Sequence, residues 1–328
     1  MTAALLEVDD LCVELPTARG PLRALAGVSL RLEQGRALGV VGESGSGKTM
    51  LSRAILQLLP PMAQVSGSVR FEGESLRTLP AEALRALRGK EIAVVFQDPM
   101  TSLNPVLTVG GQIVETLLAH FGLAASAARM RAVELLASVG IPEPARRAMQ
   151  YPHQLSGGMR QRVAIAIALS CEPRLLLADE PTTALDVTVQ AQILDLLARE
   201  RQRRNMAMML ITHDLGIVAG RTDAVLVMYA GRVVERAATR ALFKEMRHPY
   251  TEALLAAIPR VGDAPHTRLA AIGGTPPDPT RHVPGCPFSP RCRYRGADCD
   301  EAMPGLADRA GHQFACWHPL PARARALA

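Results

Sequence analysis

The chain has 328 residues, of which 48% are hydrophobic and 21% are charged, and its formal net charge is +6. This composition is ordinary for a globular protein and is sufficient for about two domains. The basic residues are scattered along the chain, so they indicate a solvated surface and argue against a nucleic-acid partner.

The start of the chain and its apolar runs predict neither a signal peptide nor a membrane span. The first residues lack the basic start of a signal peptide. The longest uncharged apolar run near the middle, residues 163–171, is far shorter than the ~18 residues that a membrane span needs. We therefore expect a chain that does not cross a membrane by itself.

The order of predicted elements indicates an α/β protein. Alternating residues at 5–33 and 65–71 predict antiparallel strands, and residues 107–148 show the spacing of a helical insert. Short apolar runs predict buried strands at residues 37–41, 92–96, 175–178, 208–212 and 224–229. Strands that alternate with helices predict a parallel sheet, whose sites lie at the carboxyl ends of its strands.

Residues 42–49 read Gly-Glu-Ser-Gly-Ser-Gly-Lys-Thr and match G-x-x-x-x-G-K-[ST] between a predicted strand and a predicted helix. In that context the pattern predicts a phosphate-binding loop and not a chance glycine turn. Its N–H groups and the helix dipole would surround phosphates, Lys48 would contact the β- and γ-phosphates, and Thr49 would bind Mg²⁺. The other loop residues expected to contact the nucleotide are Gly42, Ser44, Gly45, Ser46 and Gly47.

Two further motifs accompany the phosphate loop. Asp179 and Glu180 end an apolar strand, where the first can hold Mg²⁺ and the second can polarise an attacking water, although adjacent acids are usually only solvated. Residues 155–158, Leu-Ser-Gly-Gly, open a predicted helix and leave several N–H donors for an anion. Taken alone, this second motif is equally typical of a helix cap.

The complete set of motifs resembles the ATP-binding-cassette (ABC) ATPases over residues 5 to about 260, and Leu-Ser-Gly-Gly-Met at 155–159 separates that family from other phosphate-loop proteins. The resemblance implies a nucleotide-binding domain at 1–260, with a phosphate-loop core, an antiparallel β subdomain and a helical subdomain at about 98–158. It also implies that two such subunits enclose two ATP molecules.

The resemblance assigns roles by position. It makes Glu180 the general base, gives His213 contact with the γ-phosphate, and makes Gln97 a sensor of Mg²⁺ and of the attacking water. The implied Mg²⁺ ligands are Thr49, Gln97 and Asp179, and the implied contacts with the opposite subunit are Ser156 and Gly158 at its γ-phosphate and Asp186 at the dimer seam. One departure is Leu15, which stands where members usually stack an aromatic residue on adenine.

Finer features resemble the dipeptide, oligopeptide and nickel importer branch, namely residues 96–105, 151–155, 248–251 and 285–292. Met-Arg-Gln-Arg at 159–162 resembles the D-type ATPase subunit of that branch. The resemblance implies a peripheral subunit at the cytoplasmic face of a bacterial inner membrane. Its implied partners are a second, homologous ATPase in a heterodimer, two transmembrane permease subunits and, indirectly, an extracytoplasmic solute-binding protein.

Three other functions compete with peptide import. The same importer class takes nickel and other small solutes, and the residues do not identify the solute. Soluble ABC ATPases of DNA repair or translation usually carry two cassettes or a long coiled-coil insert, which this sequence lacks. A phosphate-loop kinase is disfavoured by the Leu-Ser-Gly-Gly motif.

The last part of the chain, residues 261–328, holds 10 of the 24 prolines and four of the six cysteines. This predicts a small, loop-rich extension with Cys286, Cys292, Cys299 and Cys316 spaced C-x5-C-x6-C-x16-C. Disulfides are not expected in a reducing compartment, and spare surface thiols are the plain alternative to a metal site.

The cysteine spacing alone does not decide between zinc, whose usual C-x2-C knuckle is absent, and a [4Fe–4S] cluster. The family resemblance favours the cluster, with the four cysteines as ligands. We expect Phe288 and Trp317 to shield it, and His312 and His318 are the substitutes if one cysteine points away.

Overall fold

The structure, a computed structural model, describes residues 4–98, 102–183, 185–258, 272–281 and 283–321. The chain forms two compact units. The first unit comprises Met1–Leu32, Ala37–Arg77 and Leu210–Ala328, and the second comprises Glu33–Arg36 and Thr78–Met209. The domain boundary expected at residue 260 lies outside the described residues.

An antiparallel sheet opens the first unit. Its strands are β1 (Ala4–Thr17), β2 (Gly20–Glu33), β4 (Gln64–Phe71) and β5 (Glu74–Ser75), in the spatial order β2-β1-β4-β5. β4 runs antiparallel to both β1 and β5. Along β2, Val28, Leu30 and Leu32 are buried whereas Ser29 and Arg31 are exposed. The alternation of residues 5–33 thus reflects a sheet with one buried face, and the expected antiparallel strands are confirmed.

The first unit also contains a mixed set of strands. In spatial order they are β11 (Ala307–Arg309), β12 (His312–Phe314), β10 (Arg232–Ala238), β9 (Ala224–Tyr229) and β3 (Ala37–Val41). β3 and β9 run parallel, whereas β9 with β10 and β10 with β12 run antiparallel. Ala230 and Gly231, both at positive φ, form the tight turn between β9 and β10. The expected parallel pairing is therefore confirmed for β3 and β9, and the antiparallel strands β10–β12, which the sequence did not predict, extend the set.

The second unit contains β6 (Ile92–Val95), β7 (Leu175–Asp179) and the start of β8 (Ala207–Thr212), with β6 parallel to β7. Its helices are α2 (Ala81–Leu87), α3 (Val109–Phe121), α4 (Ala125–Ser138), α5 (Pro144–Ala148), α6 (Gly157–Leu169) and α7 (Val187–Arg204). Helices α3–α5 confirm the helical insert. Thr108 caps α3, because its Oγ1 accepts a hydrogen bond from the Gly111 N–H at 3.2 Å.

The remaining helices of the first unit are short: α1 (Lys48–Ile55), α8 (Leu215–Val218), α9 (Thr239–Lys244), α10 (Pro249–Ala256) and α11 (Asp298–Glu301). His248 caps α10, since its Nδ1 accepts a bond from the Tyr250 N–H at 3.1 Å. Burial lowers the pKa of His248 to about 4, which keeps that ring neutral and able to accept. Throughout the described part of the chain, every helix is too short or too polar to span a bilayer.

A buried carboxylate joins the C-terminal residues to the rest of the first unit. Glu235, on β10, is fully buried and accepts hydrogen bonds from the N–H groups of Arg247 at 2.6 Å and His248 at 3.0 Å. Its Oε1 also lies 2.7 Å from Nε2 of His312, on β12. A buried charge needs such partners, so Glu235 fixes the position of β12 beside β10.

Candidate active site

The phosphate loop lies in the first unit between β3 and α1. Gly42 has no room for a side chain, because a Cβ there would clash with the Met228 carbonyl oxygen. Gly47 has a φ of 101° and a Cβ would lie 2.7 Å from the carbonyl oxygen of Ala24. Only glycine fits these two positions. Contact alone excludes a side chain at Gly42, whereas contact and backbone conformation both exclude one at Gly47.

Lys48 is buried inside this loop, with 4% of its surface exposed. Its Nζ donates to the carbonyl oxygens of Gly42 at 2.7 Å and Glu43 at 2.9 Å, so the loop wraps around the ammonium group. The buried hydroxyl of Ser46 has no hydrogen-bond partner among the described residues. A cation and an unsatisfied donor in a ring of backbone groups suit a phosphate ligand. Ser44 and Gly45 are exposed at the outer edge of the loop, and Thr49 is half-buried at the start of α1.

The acidic pair lies in the second unit at the end of β7. Asp179 is buried, with 2% exposure, as the last residue of an apolar strand. Glu180 follows with a φ of 47°, an unusual backbone conformation for a residue other than glycine. Its Oε2 accepts hydrogen bonds from Nε2 of Gln97 at 3.1 Å and from Oγ1 of Thr183 at 2.9 Å.

Glu180 and Gln97 are therefore in direct contact, although 83 positions separate them in the sequence. Both bonds reach the same carboxylate oxygen, so they fix the orientation of the Glu180 side chain. Strained backbone together with a fixed carboxylate is typical of a catalytic position. Thr183 was not predicted; its only sequence signal is that a hydroxyl stands three residues after the acid.

The Leu-Ser-Gly-Gly motif begins α6 in the second unit. Ser156 is its N-cap, and Oγ accepts from the Met159 N–H at 3.3 Å. A Cβ at Gly158 would lie 2.8 Å from Cγ1 of Val189, so this glycine permits close packing against α7. Asp186 caps α7 by accepting from the Val189 N–H at 2.9 Å. The structure thus brings Ser156, Gly158 and Asp186 to one region, and Ser156 is exposed there at a helix N-terminus.

His213 follows β8 and belongs to the first unit with the phosphate loop. Its side chain is exposed, whereas its neighbour Thr212 is buried. Asp214 caps α8 by accepting from the Gly216 N–H at 2.7 Å, and its own N–H donates to Oγ1 of Thr212 at 3.1 Å. These local bonds fix the backbone next to His213.

The four C-terminal cysteines line one small cavity in the first unit, and all four are free thiols. Burial raises the pKa of Cys286 and of Cys292. Burial and the neighbouring thiols together raise the pKa of Cys316 to about 12. Cys286 is also joined to Cys299, whose carbonyl oxygen accepts from the Cys286 N–H at 2.7 Å. The four thiols, two of them buried and two half-buried, therefore face a common cavity, which argues against spare surface cysteines.

Other residues around this cavity agree with the sequence predictions in part. Phe288 is buried and Trp317 is 45% exposed, and both line the cavity with His318. His318 pairs with Asp298 at 2.7 Å, and the ligand atoms of these two residues and Cys299 lie within 4.8 Å of one another. His312 is not available as a substitute ligand, because it is bound to the buried Glu235.

Comparison with known proteins gives two matched regions of the chain. Residues 25–183 match the ABC transporter family model, and residues 234–299 match the model of the oligopeptide/dipeptide transporter C-terminal region. The oligopeptide transport ATP-binding protein OppD of Mycobacterium tuberculosis is 52% identical over 95% of this chain. The dipeptide transport ATP-binding protein DppD of Bacillus subtilis is 47% identical over 95% of this chain and 94% of its own length. The chain belongs to the ABC transporter ATP-binding family.

The lengths of these relatives differ. This ABC protein spans 51% of the mycobacterial OppD, about half of its length. Among solved structures, a dimeric post-hydrolysis state of the cassette MJ0796 bound to ADP and Pi superimposes with a TM-score of 0.65. That similarity covers 72% of this chain and 99% of MJ0796 at 29% identity. cbiO1 of Clostridium perfringens gives a TM-score of 0.61 at 28% identity over 74% of this chain and 91% of its own.

The matched ranges include most of the predicted site residues of the ABC protein. The phosphate loop, Gln97, Ser156 and Glu180 fall within the first match, whereas His213 lies beyond it. The second match ends at residue 299 and so leaves Cys316 outside. Leu15 lies half-buried on β1, before the first match begins.

Proposed function

We propose that this chain binds and hydrolyses ATP as a nucleotide-binding subunit of a bacterial importer for dipeptides or oligopeptides. The observation that carries the proposal is the Glu180–Gln97 pair at a strand end, in a chain that also holds a complete phosphate loop and the Leu-Ser-Gly-Gly helix. The names of the relatives OppD and DppD support peptides as the solute.

Each residue has a distinct part in the proposed reaction. Lys48 and the loop N–H groups bind the β- and γ-phosphates, and Glu180 takes the proton of the attacking water. Mg²⁺, held by Thr49, Gln97 and Asp179, would neutralise charge on the phosphates. The buried Asp179 and the amide of Gln97 are oxygen donors of the kind that Mg²⁺ prefers. His213 contacts the γ-phosphate.

The active assembly would contain two nucleotide-binding subunits. Ser156 and Gly158 would contact the γ-phosphate bound to the opposite subunit, with Asp186 at the seam between the two. The α6 N-terminus and its exposed serine support this, since such a site attracts anions. We infer that the chain forms a heterodimer with a related ATPase. Its other partners would be two permease subunits and, indirectly, an extracytoplasmic solute-binding protein, and it would lie peripherally at the cytoplasmic face of the membrane.

The domain assignment follows from the same proposal. The nucleotide-binding domain would occupy residues 1–260 with its helical subdomain at about 98–158, followed by the cysteine-rich extension at 261–328. Helices α3–α5 support the helical subdomain, and the short elements between residues 283 and 321 support the extension.

Coupling to transport tests the function. The isolated chain is expected to hydrolyse ATP slowly, and its rate in liposomes with its partner ATPase, permeases and binding protein should rise about 5- to 150-fold when peptide is added, the range typical of coupled sites. The same assay with nickel ions in place of peptide shows which of the two solutes stimulates ATP hydrolysis. A homodimer with full solute-coupled activity would contradict the heterodimer, and a rate unaffected by any solute would favour a soluble, non-transport ATPase.

We further propose that Cys286, Cys292, Cys299 and Cys316 hold a [4Fe–4S] cluster. The support for this proposal is that all four cysteines line one cavity together with Phe288 and Trp317, since four thiolates are the usual ligand set of such a cluster. The cluster would stabilise a segment with little core of its own.

Metal analysis tests this cluster. Anaerobically purified protein should be brown, with broad absorbance at about 400 nm and about four iron atoms per chain. Cys316→Ser should lower the iron content, whereas Cys12→Ser, on β1, should not. Colourless protein with one zinc per chain would rule out the iron–sulfur cluster but support a four-cysteine metal site. Protein without any metal would rule out both the cluster and the metal site.

A further inference from the structure

Arg291 is a buried arginine whose hydrogen-bonding capacity is fully used. Its side chain is 3% exposed, and it forms a bidentate ion pair with Glu43, with N–O distances of 2.6 and 2.9 Å. The three other N–H groups donate to the Tyr229 hydroxyl and to the carbonyl oxygens of Ile272 and Gly273. A guanidinium with five partners in fixed geometry defines the position of the carboxylate that it binds.

Glu43, the partner of Arg291, is the second residue of the phosphate loop. Its N–H donates to the Tyr250 hydroxyl at 2.8 Å, and its carbonyl oxygen accepts from Nζ of Lys48 at 2.9 Å. The same residue is therefore held at its amide, at its carbonyl and at its side chain. A shift of Glu43 would move an acceptor that fixes the ammonium group of Lys48.

Arg291 is itself positioned by the C-terminal segment. The 3-10 turn Ser289–Arg291 lies between Cys286 and Cys292, and the Ser289 N–H donates to the carbonyl oxygen of Cys286. Phe288 packs against Tyr229 and Tyr250, with ring centroids 5.4 and 5.3 Å apart. Arg291 lies over the rings of Tyr229 and Phe288, at 5.8 and 5.9 Å from their centroids. These packed rings leave the arginine little freedom to move.

Charge explains what the contact does for the loop. Glu43 brings a carboxylate into the loop that would bind the phosphates of a nucleotide, and its backbone carbonyl contacts Lys48. Two anions close together repel each other. Arg291 offsets that charge and orients the carboxylate. We propose that Arg291 is a positioning residue for the phosphate loop, through which the C-terminal segment contributes to nucleotide affinity. This inference rests on the proposed binding of ATP by the loop.

Nucleotide titration of single and double variants tests the inference. The dissociation constant of a fluorescent ATP analogue for Arg291→Gln should rise about tenfold, within the range of couplings between contacting residues. Adding Glu43→Gln should restore affinity to within about threefold of the wild type, because the uncompensated carboxylate is then gone. In steady-state assays Arg291→Gln should raise KM for ATP and leave kcat almost unchanged.

The matched control is Arg293→Gln, which changes an exposed arginine of the same segment that pairs with Glu252 instead. Its affinity should equal that of the wild type. If thermal unfolding shows that Arg291→Gln does not fold, Arg291→Lys replaces it, because one ammonium group cannot make both bonds to the carboxylate.

The possible results separate the inference from the proposed function. Wild-type protein that binds no more analogue than Lys48→Ala would overturn ATP binding itself. Wild-type protein that binds, together with an Arg291 variant of equal affinity, would overturn the inference alone. If the Arg291 variant still binds the analogue weakly after Glu43→Gln is added, the inference is also overturned, since the arginine would then act as general structural support.

Discussion

Replacing Glu180 by glutamine is expected to reduce ATP turnover at least about 100-fold, the usual contribution of a general base, while ATP binding remains. Glutamine has the same shape and can still interact with Gln97 and Thr183, but it cannot accept a proton from water. With hydrolysis blocked, the ATP-bound dimer should persist. The measurements are steady-state phosphate release, nucleotide titration and size-exclusion chromatography with ATP.

Glu172→Gln is the matched control, since Glu172 is an exposed carboxylate of the same unit, paired with Arg131 at 2.8 Å. Its turnover should remain close to that of the wild type, because exposed ion pairs contribute little. Hydrolysis by Glu180→Gln at the wild-type rate would exclude Glu180 as the general base.

Replacing Lys48 by alanine should weaken nucleotide binding at least about 30-fold, from the cost of truncating one partner of a buried charged contact. The substitution removes the cation that would face the phosphates. It also leaves the carbonyl oxygens of Gly42 and Glu43 without their donor, so the loop loses the group around which it folds. Equilibrium titration with a fluorescent ATP analogue measures the loss.

Lys244→Ala serves as the control, because Lys244 is exposed at the end of α9 and should not affect affinity. Thermal unfolding of both variants separates lost binding from lost folding. If a folded Lys48→Ala protein bound ATP as tightly as the wild type, the assignment of this loop to the ATP-binding site would be wrong.

Local sequence predicted the parts of the site that local interactions build. The phosphate loop is one continuous segment whose pattern identified it, although the contacts that require Gly42 and Gly47 come from the distant residues Met228 and Ala24. The apolar runs at 37–41 and 175–178 became β3 and β7 because buried strands need a continuous apolar sequence. Glu180 and Gln97 were both identified, but only through their separate motifs.

Contacts between distant segments were beyond prediction. Arg291 and Glu43 are 248 positions apart, and an arginine between two cysteines gives no sign of its partner. The β9–β10 hairpin was missed because Ala-Gly is a weak turn signal compared with Asn-Gly. His312 was considered a substitute metal ligand, since nothing in the sequence shows that the buried Glu235 binds it.

The pairing of β12 with β10 also protects the molecule against self-association. Without residues 307–314, β10 would present unsatisfied N–H and C=O groups along one side, and Glu235 would lose His312. An exposed strand of this kind is a template for pairing with other chains. With residues 307–314 present, the outermost strand on this side of the sheet is β11, which has three exposed residues and is too short to recruit a neighbour. A fragment that ends after the cassette would therefore be prone to aggregate even if its phosphate loop were correctly formed.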